Sequence, residues 1–286
     1  MLTVFTPTYN RGEKLKRLYS SLLDQCNSDF EWLIVDDGST DDTEAIVNTF
    51  FTSEFPIRYY RKENGGKHTA YNYALKVAKG DYFVCIDSDD WLSKEAISNI
   101  LEVCTETNTN ILMAYKSDVN GNLLSNNFPE TVTKAGILEL SNFYRCTGEF
   151  TLVFLTEFAR KYPFPVFDGE KFVTESVIYD KMFENEKALL LSEVVTICEY
   201  QNDGLTINLN EIMKKNPAGY CLYFMQRIDA EFSIKKRILA VGKYYCFSKL
   251  SKEKKCRYNG KYKMFVRLLV PFGWGVYIYY KMVRGF

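Results

Sequence analysis

Apolar and polar positions over the first 115 residues alternate between two periods. Leu2–Thr6 is a short, almost continuously apolar run, the pattern of a strand buried on both faces. Leu15, Leu18, Tyr19, Leu22 and Leu23 then recur at helical spacing and predict one apolar helix face. The cycle repeats. Glu31–Val35 predicts a second strand, running into Asp36-Asp37-Gly38-Ser39, and Ser39 or Thr40 is placed to cap a short helix carrying Ala45, Ile46 and Val47. Ile57–Tyr60 predicts a third strand. Asn64-Gly65-Gly66 feeds a helix expected to stop at Gly80 as a left-handed terminator, and Tyr82–Ile86 predicts a fourth strand. Ser93 is the expected N-cap of a helix carrying Ala96, Ile97, Ile100 and Leu101. Such alternation implies a mainly parallel sheet covered by helices, with ligands at the carboxyl ends of its strands.

Beyond residue 115 the pattern is mixed. Thr151–Leu155 and Val194–Tyr200 read as strands, 161–169 as a Pro-containing loop and Glu175–Glu184 as a short helix. A helical section begins near Pro217. The expected division is an α/β domain over 1–215, in halves 1–115 and 116–215, followed by a basic helical extension over 216–286.

Charge sharpens that division. Lys+Arg and Asp+Glu both number 36, yet residues 235–286 hold 14 basic residues against one acid, Glu253. An acidic body with a basic tail points to different partners for the two ends. The tail also contains the apolar, aromatic-rich stretch Leu268–Tyr280, too short to cross a bilayer, in which Pro271, Gly273 and Gly275 are expected to weaken a helix. Basic residues flanking Phe, Trp and Tyr suit the interface of an anionic membrane, so a peripheral protein at the inner face of the plasma membrane is expected. Packing of the stretch on the rest of the chain is the competing expectation. The eight cysteines show no CxxC spacing and there is one histidine, which argues against a sulfur-bound zinc and for reduced, mostly buried thiols in a cytoplasmic setting. The chain enters a strand directly, with no basic and apolar leader pattern, so no cleaved signal is expected.

Three of the predicted strands end in polar or acidic groups. These are Thr6-Pro7-Thr8-Tyr9-Asn10, Asp36-Asp37-Gly38-Ser39 and Asp87-Ser88-Asp89-Asp90. Five carboxylates at one sheet edge require cations or hydrogen-bond donors. Asp-x-Asp supplies hard oxygens for Mg²⁺ or Mn²⁺, which in turn binds phosphate oxygens. Lys67 and His68 open the helix after Gly65-Gly66, where a cation beside a helix N-terminus suits a diphosphate. For His68 a helix-surface or capping role stays open.

The segments TPTYNR, IVDDGSTDDT, NGGKHTAYNYA and CIDSDDW, in this order and spacing, resemble the family-2 glycosyltransferases, which have the GT-A fold. The resemblance implies an inverting, metal-dependent hexosyl- or N-acetylhexosaminyl-transferase. It implies a nucleotide-diphosphate sugar donor, most often a UDP-sugar, and a glycan or lipid-linked acceptor in surface polysaccharide synthesis; no nucleic acid is expected. Carried over, it puts Thr6, Thr8, Tyr9 and Asp36 around the base and ribose, with Asp37 in support and Lys67 on the nucleotide. Asp89 becomes the metal contact, and Asp87 a ribose or metal contact. The family's general base falls in Gly169–Ser176, where Glu175 is the choice and Glu170 the reserve; Ser176 stands where an Asp often completes the pair. Gly148-Glu149 and Gln201–Thr206 resemble acceptor-side and diphosphate-covering segments. A sugar-1-phosphate nucleotidylyltransferase, which opens with a Gly-rich, Arg-containing loop absent from Pro7–Gly12, and a non-catalytic nucleotide-sugar-binding subunit are the alternatives.

Overall fold

The computed structural model describes residues 1–199, 209–251 and 256–286. The chain divides into two compact units, Met1–Pro163 with Glu186–Tyr200 and Phe164–Asn185 with Gln201–Phe286. The division expected at residue 215 therefore falls inside the second unit, and residues 164–185 cluster with the C-terminal helices.

The first unit runs β1 (Leu2–Thr8), α1 (Gly12–Leu23), β2 (Phe30–Asp36), α2 (Thr43–Val47), β3 (Ile57–Arg61), α3 (Lys67–Val77), β4 (Tyr82–Cys85), β5 (Trp91–Leu92) and α4 (Ala96–Thr107). It continues through β6 (Ile111–Asp118), β7 (Lys134–Ala135), α5 (Ile137–Phe143), β8 (Phe150–Leu155) and α6 (Thr156–Ala159). After α7 (Ser176–Met182) of the second unit, β9 (Ala188–Cys198) returns to the sheet. The second unit also holds α8 (Leu209–Lys215), α9 (Pro217–Ala230), α10 (Ile234–Leu250), α11 (Lys263–Leu268) and α12 (Val270–Val283).

The strands form one mixed sheet in the order β3-β2-β1-β4-β8-β6-β9-β5, with β7 on β9. β1 pairs in parallel with β2 and with β4, and β2 with β3, as alternation predicts. Here the sheet stops being parallel. β8 inserts antiparallel between β4 and β6, an arrangement that periodicity cannot foresee because its partners lie about 70 positions away on β4 and about 40 away on β6. All seven residues of β1 and of β2 are buried, which explains why both are mostly apolar rather than alternating. Leu15, Leu18 and Leu22 of α1 pack on Leu2, Val4, Trp32 and Ile34, and each fully buried leucine contributes roughly 1.5–3 kcal/mol. Leu23 lies outside this core and is exposed, because the helix turns it off the apolar face. On the other side of the sheet Phe5 stacks on Phe83, and Tyr71 of α3 meets both rings edge-on.

Three expected caps are corrected. α2 starts later, at Thr43, and Ser39 instead accepts a hydrogen bond from the Asn10 N–H. Ser93 donates its hydroxyl to the Val194 carbonyl, and α4 begins at Ala96. Gly80 lies beyond the end of α3 and lacks a positive φ. Its role is close packing, since a Cβ there would sit 2.4 Å from the Thr3 nitrogen on β1.

In the second unit α10 packs against α9 and α12. The expectation that Pro271 and two glycines weaken a helix over 268–280 is overturned, because α12 runs unbroken through them. Pro271 occupies the first turn, where it costs no hydrogen bond, and Gly273 admits the Tyr245 ring, to which a Cβ would approach within 2.6 Å. The eight cysteines are free thiols, and six are buried.

Candidate functional site

The site is built where the parallel half of the sheet reverses direction, at the carboxyl ends of β1 and β4, the position at which open α/β sheets bind ligands. β1 ends at Thr8, after which Asn10 takes a positive φ of 52° and the chain turns into α1. Asn10 fastens this turn to the next, accepting the Thr40 N–H through its side-chain oxygen (2.7 Å). β2 ends at Asp36, and Gly38, with φ 84°, allows the tight bend that follows. A side chain at Gly38 would meet the Asn64 nitrogen at 2.9 Å.

Asp37 organises the loop before α3. Its Oδ1 accepts from Lys62 Nζ (2.6 Å) and the Gly65 N–H (3.0 Å), and its Oδ2 accepts from the Gly66 N–H (2.6 Å). Lys62 also donates to Thr69 Oγ1 (2.8 Å), which ties the clamp to the first turn of α3. Lys67, the first residue of that helix, reaches both Asp87 oxygens at 2.7 and 2.9 Å. The second strand end thus sets the position of a cation that meets the fourth strand end.

Each carboxylate of Asp87-Ser88-Asp89-Asp90 has its own cation. Lys67 pairs with Asp87, Arg11 with Asp89 (2.8 Å) and Lys116 with Asp90 (3.5 Å). Burial opposes ionisation of Asp87, but Lys67, Lys116 and Arg11 outweigh it and hold the carboxyl below its usual range. Asp90 behaves oppositely. Burial raises it to about 6, with Lys116 only partly compensating and Asp87 adding repulsion. Burial likewise drops the His68 imidazole to about 4, so the sole histidine is a neutral, inward-facing residue of α3 rather than a surface one.

Two residues expected around a nucleobase are inside the fold. Thr6 is fully buried and its hydroxyl accepts the Trp32 indole N–H (3.0 Å), so this side chain joins β1 to β2. Asp36 is also fully buried, and its two oxygens take the Ser39 N–H (2.7 Å) and the Tyr59 hydroxyl (2.6 Å). Burial and Asp36 together push the Tyr59 phenol far up, keeping it protonated as a donor. Both residues shape the site from behind. Tyr9, by contrast, is 46% exposed. Thr8 lies between them, with a buried Oγ1 that has no protein hydrogen-bond partner. An orphaned hydroxyl at a strand end is costly unless a ligand or water takes it up.

Among the described residues no three His, Cys, Asp or Glu side chains form a group that could hold a metal. Asp87 and Asp89 nevertheless offer the donor set that suits Mg²⁺ or Mn²⁺ bound through one or two carboxylates, with phosphate and water supplying the rest.

In the second unit Glu175 stands at the N-cap position of α7 and makes no capping hydrogen bond through its side chain. Glu170 is committed elsewhere, its two oxygens accepting the Ala218 and Gly219 N–H groups (2.7 and 2.9 Å) at the start of α9. Gly148 has φ 134° and packs on Ser125, which marks a backbone crossing. Gln201–Thr206 lies outside the described residues. Arg11, Tyr59, Lys62 and Lys116 are site residues that sequence reasoning missed. Arg11 closes the TPTYNR segment and was visible there as a cation, whereas nothing around Lys116 announces that it faces residue 90.

Glycosyl transferase family 2 matches residues 3–157. A chondroitin synthase of Pasteurella multocida is 33% identical over 136 residues, 46% of this chain and 14% of that protein. The poly(ribitol-phosphate) β-N-acetylglucosaminyltransferase TarP of Staphylococcus aureus is 32% identical over 149 residues, 50% of this chain and 46% of that protein. These alignments thus span less than half of either relative's length. The crystal structure of S. aureus TarS 1–349 in complex with UDP-GlcNAc superimposes with a TM-score of 0.64 at 19% identity, covering 98% of this chain and 91% of that one. At that identity the likeness establishes the fold, GT-A. With one uninterrupted match covering more than half its length, the chain belongs to glycosyl transferase family 2.

Proposed function

We propose that the protein is an inverting glycosyltransferase that moves a sugar, of hexose or N-acetylhexosamine type, from UDP to a glycan or lipid-linked acceptor. The observation that carries this reading is the Asp87–Asp90 loop. It gathers three carboxylates and three matching cations at the strand ends of a family-2 sheet. A charge-balanced cluster of this kind can exchange partners when a charged ligand arrives. Asp89, with Asp87, would hold Mn²⁺ or Mg²⁺, which when bound offsets the charge that builds on the departing diphosphate. Arg11 and Lys67, relieved of the carboxylates, turn to the phosphate oxygens. Thr8 and Tyr9 meet the nucleoside, with Asp36 and Asp37 holding the loops in shape. Glu175 takes the proton of the acceptor hydroxyl. The acceptor oxygen bonds to the anomeric carbon, whose bond to the β-phosphate oxygen breaks, and UDP leaves with the electron pair. Attack from the face opposite the leaving group inverts the configuration.

In this reading residues 1–215 carry the reaction, and residues 216–286 hold the protein at the cytoplasmic face of a membrane where the acceptor is presented. The test is a panel of UDP- and GDP-sugars, each with and without chelator and acceptor extract. Transfer from a UDP-sugar that stops with chelator and resumes with Mn²⁺ or Mg²⁺ is expected. Formation of a nucleotide-sugar from sugar-1-phosphate would replace this reading with a nucleotidylyltransferase. Binding without any turnover would replace it with a non-catalytic subunit.

A further inference from the structure

The helix α12 is apolar on two faces, and only one is covered within its unit. Tyr280 meets the Phe247 ring at 5.8 Å, and Gly273 lies against Tyr245 of α10. The opposite face exposes Ile278 (50%) and Met282 (80%), with Trp274 (46%) at its edge beside Tyr245 of α10, and the preceding α11 exposes Met264 (66%) and Leu268 (75%). A surface helix ordinarily turns polar residues outward. Here no charged residue lies between Leu268 and Tyr280; Lys261, Lys263 and Arg267 precede that stretch and Lys281 and Arg284 follow it, all of them exposed. Among the described residues 232–286 there is no acid.

Charge and length choose the occupant. A second copy docking by the same face would set one cationic rim against another, which costs energy in a two-fold interface. A neutral apolar partner would leave the basic ends unanswered. An anionic bilayer answers both features, taking the stripe into the acyl boundary and the cations at its headgroups. α12 has 14 residues, a length of about 21 Å, against a hydrocarbon core of about 30 Å. No helix among the described residues is long and apolar enough to cross. Lys249 lies 5.7 Å from the Trp274 ring and Lys281 5.7 Å from that of Tyr277, so cations already stand beside aromatic bodies, as at a headgroup interface.

We infer that the exposed face of α11 and α12 is an in-plane anchor for anionic membranes, with Trp274, Ile278 and Met282 as the inserting side chains and Lys263, Arg267 and Lys281 as the headgroup contacts. It rests on the membrane-facing part of the reading above and is independent of the donor chemistry.

The experiment is flotation of the full chain with phosphatidylcholine vesicles, with and without phosphatidylglycerol, at low and high salt. The wild type floats only with the anionic lipid, and salt weakens it. Ile278→Glu with Met282→Glu abolishes flotation while the melting temperature and UDP affinity stay unchanged, since both side chains are exposed. Lys263→Gln with Arg267→Gln weakens partition about 25-fold, each cation near such a surface accounting for about fivefold. A wild type that never floats overturns the anchor, as does equal flotation of the Glu variant. So does a dimer that the Glu variant dissociates in the absence of any vesicle binding. Loss of transfer activity with flotation intact would instead strike the enzymatic reading and leave the anchor standing.

Discussion

Replacing Asp37 by Asn removes one charge and one acceptor from the clamp that holds the loop before α3. The carboxylate takes three donors, Lys62 Nζ and the Gly65 N–H on one oxygen and the Gly66 N–H on the other. An amide oriented best keeps Lys62 and Gly65 on its carbonyl and turns its NH₂ toward the Gly66 N–H, donor against donor. One hydrogen bond to a charged group is lost, about 1.5–3 kcal/mol, and Lys62 loses its counter-charge. The Asp37 side chain is 6% exposed but that of Lys62 is 21% exposed, so water recovers part of the second loss. The total falls near the lower end of the cost of breaking a buried pair, about 3 kcal/mol. Urea unfolding should show this as a lower midpoint at unchanged slope. Calorimetry should show UDP binding weakened as the loop no longer presents Lys67. In a double-mutant cycle with Lys67→Met the two changes should cost less UDP affinity together than their sum, with a coupling of about 1 kcal/mol or more. An Asp37→Asn protein that unfolds at the wild-type midpoint and binds UDP normally would refute the clamp.

Other outcomes follow from the same geometry. Arg11→Met should tighten Mn²⁺ binding to the ligand-free protein, measured by calorimetry, because Asp89 loses its competing partner; Asp89→Asn should abolish that binding while the protein stays folded. Glu175→Gln should leave UDP binding intact and slow transfer ~10²–10⁴-fold. Glu170→Gln should instead lower stability by roughly 1 kcal/mol through the start of α9, as judged by thermal melting. His68 is held at about 4 by burial, below its unfolded value near 6.5, so its contribution is complete above pH 6.5 and is lost as pH falls toward 4. The wild type should therefore lose up to about 3 kcal/mol across that window relative to His68→Gln in pH-dependent urea melts. Parallel curves for the two proteins would show that the imidazole is solvated.

What the sequence determined by itself was local. The helical spacing of Leu15, Leu18 and Leu22 and the short, mostly apolar runs of β1 and β2 need only neighbouring residues to be read. The acidic strand ends were legible for the same reason, because a strand that stops in Asp-x-Asp places its carboxylates at one sheet edge wherever the sheet lies. Which partner each polar group takes was decided by tertiary structure. Glu170 and Glu175 look alike in the chain, and the return of α9 48 residues later makes the first a cap. Asp36 and Asp37 are adjacent, yet Tyr59 closes over one and the Gly65-Gly66 loop over the other. Arg11 meets Asp89 across 78 positions, and Lys116 finds Asp90 across the sheet. Propensity failed at Gly273, where the absence of a side chain is repaid by the close approach of α10, and at Pro271, whose first-turn position costs no hydrogen bond. Local periodicity fixes which face of each element is apolar, but hydrogen-bond and charge partners depend on which segments the packed sheet and helices bring together, and that is settled only by the whole fold.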